Sequence, residues 1–414
     1  MKELPQDRPY RFRPPTPRRW LTPLLCWLNR AWYLGHAYRI RGIDCKGIEA
    51  VVAAVEAGDA VLLAPNHADH AAVHVMMEVL TRVGVSPRFM GAREIFEVHP
   101  VASFALQSAG VFSVDRDGAD IAAVKMALGI LEEGKHPLVI YPEGEIYHHH
   151  EWLDPLHDGL ASILLRVAKR LPEGRSARVF PVAFRFTCDP QVEATFAPRM
   201  AVIEKHLGWK PREDLPVVAR LTRLGAGALA LKETEFFGDA TGGTIAERIA
   251  ALRDRLLLDV EGRHGLEDKK APTVPERVRA LRYRIRKALL DEENPPSQEA
   301  RRRLLDDIDR VHVAYQAYSY RSGYLEEKPT PSRISETLTK LEEDLLGLAT
   351  YPTARRASVV FGEPIDATDL LRSGALPEKG GAVELTAVLE KKLGDMMRAD
   401  LPSQAGGTIV SPDA

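Results

Sequence analysis

His67 is the side chain in this sequence best placed to move a proton. It follows a short apolar run, Val61 to Ala64, that stops at Pro65. A bounded run of that kind reads as a buried strand, and Pro65, with no N–H to donate, ends its ladder. His67 then falls at a strand's carboxyl end, just before a helical pattern at 71–83. Ligands bind at that edge in open α/β sheets. An imidazole there, titrating near working pH, can serve as a general base. Three more stretches fall at predicted strand edges: Gly110-Val111-Phe112-Ser113-Val114-Asp115-Arg116, Tyr141-Pro142-Glu143-Gly144-Glu145 and Val179-Phe180-Pro181-Val182-Ala183-Phe184. Arg116 offers a planar fork of donors suited to phosphate oxygens. Arg93, after a short strand at 88–91, adds a second cation. Gly144 lets a ligand approach the backbone closely.

The elements that must position these groups alternate between short apolar runs and amphipathic helices from about 38 to 265. Helices are expected over 49–56, 71–83, 96–109, 121–131 (stopped by Gly134) and 162–170. Strands are expected at 61–64, 88–91, 111–114, 137–141 and 179–186. The alternation predicts an α/β sheet, largely parallel. Residues 272–350 change to helical spacing alone, with apolar positions at Val278, Leu281, Ile285 and Leu289, then from Leu304 to Tyr318, then from Ile334 to Leu348. A strand-like run, 357–365, and a helix near 383–399 close the chain before a Gly- and Ser-containing tail.

Taken together, in this order and spacing, the four stretches resemble the glycerolipid acyltransferase superfamily, whose best-known members are the lysophosphatidic acid acyltransferases. That family's pattern is Asn-His-x4-Asp, Gly-x-x-Phe-x-x-Arg, Phe/Tyr-Pro-Glu-Gly, then an apolar run with a proline. Residues 66–67, 110–116, 141–144 and 179–184 resemble these blocks, and Phe361-Gly362-Glu363-Pro364-Ile365 resembles the closing strand. The resemblance covers about 45–265 plus 351–400. It implies a glycerolphosphate-acyltransferase-like mixed sheet flanked by helices, with an N-terminal membrane-contact helix and a helical insertion. It implies domains at 1–37 (basic and aromatic), 38–265 (acyltransferase), 266–350 (insertion) and 351–400 (closing strand and helix), with a disordered tail at 401–414. The implied reaction moves a fatty acyl group from acyl-CoA or acyl carrier protein to the hydroxyl of a lysophospholipid or glycerol phosphate. His67 is then the general base. Gly110, Phe112, Arg116, Pro142, Glu143 and Gly144 form the acceptor site, with Arg93 behind them. The chemistry requires no metal and no organic cofactor.

The sequence departs from the pattern at one telling place. The family's aspartate, which orients the imidazole as in hydrolase triads, would stand at Ala72. Asp69 and Asp115 are the nearby carboxylates, and neither has the family's spacing. A rewired base, a catalytically silent lipid-binding relative and an engineered Ala72 all fit. Ser113 also occupies the family's phenylalanine position, with Phe112 one residue early and so on the opposite strand face. Glu145-Ile146 stands where many relatives have Thr-Arg. A rival reading is a metal-dependent hydrolase using His67, Asp69 and His70. His70 and His74 share a helix face, and His148, His149 and His150 could add ligands. The upstream half of such a motif is absent, and histidines of a polar pocket or surface are the plainer reading.

Composition bounds the rest. A length of 414 residues predicts one large or two smaller domains. A formal net charge of −2 argues against a general nucleic-acid binder. Cys26, Cys45 and Cys188 lack metal or redox spacing and read as free thiols of a reducing compartment. No apolar run reaches the roughly 18 residues that span a bilayer. Yet the first 19 residues carry six basic against two acidic side chains, a net of +4, and lead into Trp20, Trp27, Trp32 and Tyr33 among leucines. This suits an interfacial helix on an anionic membrane, or else a helix whose tryptophans pack inward. The expectation is a peripheral, monotopic protein on the cytoplasmic side of a membrane.

Overall fold

In a computed structural model describing residues 9–118, 120–266, 273–321, 323–377, 379–399 and 408–410, strands and helices alternate as that pattern predicts. Helix α1 (Thr22–Leu28) runs on as a π-helical stretch over Asn29–Ala37. Then come β1 (Ile40–Lys46), α2 (Ile48–Glu56), β2 (Ala60–Pro65), α3 (Ala71–Arg82), β3 (Arg88–Ala92), α4 (Arg93–Glu97) and α5 (Pro100–Ser108). They are followed by β4 (Val111–Val114), α6 (Ile121–Glu133), β5 (Leu138–Val139), α7 (Gly159–Ala168) and β6 (Ala177–Cys188). A helical run succeeds them: α8 (Glu193–His206), α9 (Val217–Phe237), α10 (Ile245–His264), α11 (Val274–Leu289), α12 (Gln298–Tyr318), α13 (Tyr324–Glu327) and α14 (Pro331–Leu346). The chain then returns to β7 (Arg355–Phe361), β8 (Ile365–Asp366), α15 (Ala367–Arg372), α16 (Gly381–Arg398) and a short β9 (Thr408–Val410).

The strands form one sheet in the order β4-β3-β5-β2-β6-β7-β1-β9, with β8 beside β6. Pairing is parallel except for β6 with β7, β6 with β8 and β1 with β9. β2 is central, between β5 and β6, and buried along its whole length. Its residues alternate faces, as period two requires. Val61 and Leu63 join one core with Val75, Met76 and Val79 of α3 and with Phe180 and Phe184 of β6. Ala60, Leu62 and Ala64 join a second core with Leu128 and Leu131 of α6, Leu164 of α7 and Leu389 of α16. Each leucine so buried contributes about 1.5–3 kcal/mol. Because β2 and β5 are parallel neighbours, with Leu63 opposite Val139, the segments after them, 66–70 and 141–144, leave the same edge of the sheet.

Two compact units are present. Among the described residues, the sheet unit holds 11–115, 120–191 and 351 onward, and the helical unit holds 192–350 with 9–10 and 116–118. The main division between the units falls at 191/192. Helical periodicity shows which face of α8, α9 and α10 is apolar but not which partner covers it. The helical unit has its own core, with Leu252 and Leu256 of α10, Leu281 and Ile285 of α11, and Ile308 and Val311 of α12. Its polar interior is paired: Arg220 donates to Glu204 at 2.5 Å, and Arg199 to Glu342 at 2.7 Å. Thr244 with Glu247, and Thr273 with Glu276, form capping boxes that start α10 and α11. Of the tail expected to be disordered, Thr408–Val410 pairs antiparallel with β1; the rest of 401–414 lies outside the described residues.

Candidate active site at the carboxyl edge of the sheet

The loop after β2 is tied down on both sides of His67. The Asn66 side chain bridges to β6. Its Nδ2 donates to the Phe184 carbonyl at 3.2 Å, and its Oδ1 accepts from the Phe184 N–H at 2.6 Å. The His67 N–H donates to Glu143 Oε1 at 2.6 Å. The other oxygen, Oε2, accepts from the Asp154 N–H at 3.1 Å. Glu143 therefore joins the Pro-Glu-Gly turn to the histidine loop through charge-assisted bonds. The Tyr141 ring lies 4.2 Å from the His67 ring, tilted by 32°. The Tyr141 hydroxyl is buried and has no hydrogen-bond partner among the described residues. Burial pushes its pKa well above 10, so it stays a neutral phenol. Gly144 is required at its position: φ is +78°, and a β-carbon would meet the His157 ring at 3.0 Å. Pro142 is buried, and its carbonyl accepts from the His157 N–H at 2.9 Å.

Asp69 is committed elsewhere. Arg355 of β7 donates to its Oδ2 at 2.8 Å, and the Ala71 N–H donates to Oδ1 at 2.7 Å. Arg355 also donates to the Tyr38 carbonyl at 3.0 Å and lies 3.9 Å from the centre of the Tyr351 ring. Burial works against the Asp69 charge, but the Arg355 guanidinium and these hydrogen bonds hold its carboxyl below the usual range. Asp69 is thus an anchor for the turn into α3. Ala72, where the family's aspartate belongs, is 0% exposed and lies in the core beside Val75 and Met76. The other carboxylate considered for that role, Asp115, gives its N–H to Asp120 Oδ2, the residue that caps α6.

The remaining expected residues divide between binding positions and scaffold. Arg93 opens α4, is buried, and pairs with Glu97 at 2.9 Å. Gly110 has φ +89° and immediately precedes β4. Phe112 packs wholly inside the second core, 6.3 Å from Phe12, so its ring is scaffold. Ser113, on the other face, accepts from the Arg13 N–H at 2.8 Å. Arg116 belongs to the helical unit. There its neighbour Asp117 faces Arg286 at 3.6 Å and Arg282 at 3.9 Å.

The histidines do not assemble as the hydrolase reading needs. Arg355 occupies Asp69, His70 faces the His148 ring at 5.3 Å, and His74 takes a different partner. His74 Nδ1 lies 2.6 Å from Asn29 Oδ1, and its ring stacks on Tyr33 at 4.3 Å. Burial, with His70 nearby, brings its pKa down to about 4. His74 is therefore a neutral pin between α3 and the aromatic N-terminal segment. That segment turns Leu21, Asn29 and Leu34 inward but leaves Trp20, Trp27 and Trp32 outward, at 75%, 60% and 57% exposure. The inward-packed alternative for the tryptophans does not hold. Arg18 ties the basic arm to α5, lying 4.5 Å from the Phe104 ring. Among the described residues no helix is long and apolar enough to cross a membrane.

Sequence reasoning missed Arg355, Asn29 and the pairing of Asp154 with Glu143. Nothing in the spacing of Asp69 and Arg355, 286 residues apart, marks them as partners. A model of the acyltransferase family matches residues 42–185, a span that contains all four sequence blocks and ends before α8. No curated protein and no solved structure gave a match.

Proposed function

Residues 42–185 are a domain of the glycerolipid acyltransferase superfamily, and from that premise we propose that the chain transfers a fatty acyl group from acyl-CoA or acyl carrier protein to the hydroxyl of a lysophospholipid or glycerol phosphate. The observation that carries the reading is the latch between the His67 N–H and Glu143, which holds the backbone of the Asn-His block at the carboxyl edge of the sheet. In the proposed reaction His67 takes the proton of the acceptor hydroxyl. The oxygen attacks the thioester carbonyl carbon, the C–S bond breaks, and the leaving thiolate takes the proton back from the imidazolium. Gly144 of the Pro-Glu-Gly turn lets the acceptor phosphate approach the backbone closely. The exposed tryptophans, with Arg18 and Arg19 beside them, support a peripheral seat on an anionic, cytoplasmic membrane face.

The test is thiol release from acyl-CoA and acyl carrier protein against a panel of lysolipids and glycerol phosphate. Turnover that needs both an acceptor and His67 is expected. Release that continues undiminished in His67→Ala would remove His67 as base, and no release with any donor and acceptor pair would remove the transfer reading.

A further inference from the structure

Behind the latch lies a cluster in which Glu143 meets two side chains, His149 and Asp154, that acyl transfer does not use. The side chains of Glu143, His149 and Asp154 are all buried and converge. One histidine nitrogen and two carboxylate oxygens lie within 4.8 Å of one another. One pair, His149 Nε2 and Asp154 Oδ2, is 2.9 Å apart. Around an ion bonded at about 2.0–2.2 Å in a tetrahedral array, ligand atoms stand roughly 3.3–3.6 Å apart. With one pair at 2.9 Å and no pair beyond 4.8 Å, the cluster is compatible with that spacing.

The backbone aims the three groups at a common point. The Asp154 N–H bonds to Glu143 Oε2, which brings its own carboxylate alongside that of Glu143. His148 adopts φ +56°, unusual for a residue with a side chain. It faces His70, while the next residue, His149, faces Asp154. Two carboxylates drawn together in the interior are costly unless a cation or hydrogen bonds offset their charge. A ligand set of one imidazole and two carboxylates suits a divalent first-row transition ion such as zinc. Calcium and magnesium favour all-oxygen shells, and copper(I) favours sulfur.

We propose that Glu143, His149 and Asp154 bind a divalent transition-metal ion, with zinc the best fit. The ion would join the Pro-Glu-Gly turn to the 149–154 loop and, through Glu143 Oε1, steady the segment that carries His67. The alternative is a plain ion pair between His149 and Asp154 with no metal. The inference stands apart from the acyl-transfer reading, because its readouts are metal content and melting.

Full-length protein stripped with a chelator, reloaded with zinc and dialysed should retain about one equivalent. Its Tm should rise by roughly 5 °C when free zinc is held about a hundredfold above Kd. Magnesium and calcium should leave Tm unmoved. His149→Ala removes the nitrogen ligand and should weaken zinc binding by at least about 100-fold, beyond what loss of an outer-shell partner gives. Asp154→Asn, closer in shape, serves if His149→Ala does not fold. Native protein that retains no zinc and whose Tm ignores it overturns the proposal in favour of the ion pair. Zinc held equally by the native chain and the variants also overturns it, by placing the ion on other residues.

Discussion

Replacing Arg355 with methionine should be among the most damaging single changes in the sheet unit. The guanidinium is buried, bonds Asp69 and the Tyr38 carbonyl, and packs on Tyr351. Methionine keeps much of the apolar bulk but strands the Asp69 carboxylate away from water. Removing one partner of a buried pair costs about 3–5 kcal/mol, and the lost contact with the Tyr351 ring adds about 0.5–2 kcal/mol. Urea unfolding followed by far-ultraviolet circular dichroism should therefore show a loss of about 4 kcal/mol or more in Arg355→Met. Asp69→Asn with Arg355→Met should regain much of that loss, because no unpaired charge remains. Such non-additivity is the signature of direct coupling. The pH dependence carries the same signature. Asp69 has a depressed pKa when folded, so its contribution is present above its unfolded value, about 3.9, and is lost as pH falls through the folded value. In Arg355→Met burial is opposed only by the Ala71 N–H and the charge of His148, the Asp69 pKa rises, and acid destabilisation should begin at higher pH. A loss below 1 kcal/mol, or strict additivity of the two changes, would refute the anchor. So would an Asp69→Asn variant of native stability whose kcat falls about four orders of magnitude. That is the outcome expected of a residue that orients His67.

Three further outcomes are expected. Ala72→Asp restores the family's carboxylate at a wholly buried position; it should raise thiol release by up to about four orders of magnitude, and His67→Ala in that background should erase the gain. His74, neutral when folded with a pKa near 4 against 6.5, adds stability that is fully present above 6.5 and is lost as pH falls toward 4, a change of roughly 3 kcal/mol; His74→Gln should flatten the Tm-against-pH curve across that window. Deleting residues 1–36 should release the protein from anionic vesicles in a co-sedimentation assay, whereas undiminished co-sedimentation would remove the membrane reading.

Much of the sheet was legible in the chain. The runs at 61–64, 111–114 and 179–186 are short, apolar and punctuated by proline or glycine, and each is a strand. Gly134 ends α6 with φ +70°, as a left-handed stop should. The strand expected over 137–141 is only Leu138–Val139, because the chain turns at Pro142. What sequence could not supply is partnership across distance. The sequence reading left the stretch up to 265 within the α/β alternation and did not group α8, α9 and α10 with α11, α12 and α14. Phe112 read as a displaced binding residue, and only the packing of α6 and Phe12 against β4 shows that its ring belongs to the core.

The same distinction separates the two aspartate positions after His67. Asp69 and the family position at 72 lie one turn apart, and from spacing alone either carboxylate could serve the imidazole. The structure gives Asp69 to Arg355 and leaves position 72 to the apolar core. The backbone of the histidine loop is then held by three links, Asn66 to Phe184, Glu143 to the His67 N–H, and Asp69 to Arg355. None of them passes through residue 72. Alanine there sacrifices no hydrogen bond of the loop and fills buried apolar space, so it is compatible with a well-ordered site. On the proposed mechanism its consequence falls on the protonation chemistry of the imidazole. On that mechanism folding and proton transfer, joined in one short motif, rest on different residues of it, so a chain can keep all three structural links and still lack the carboxylate proposed to orient the imidazole.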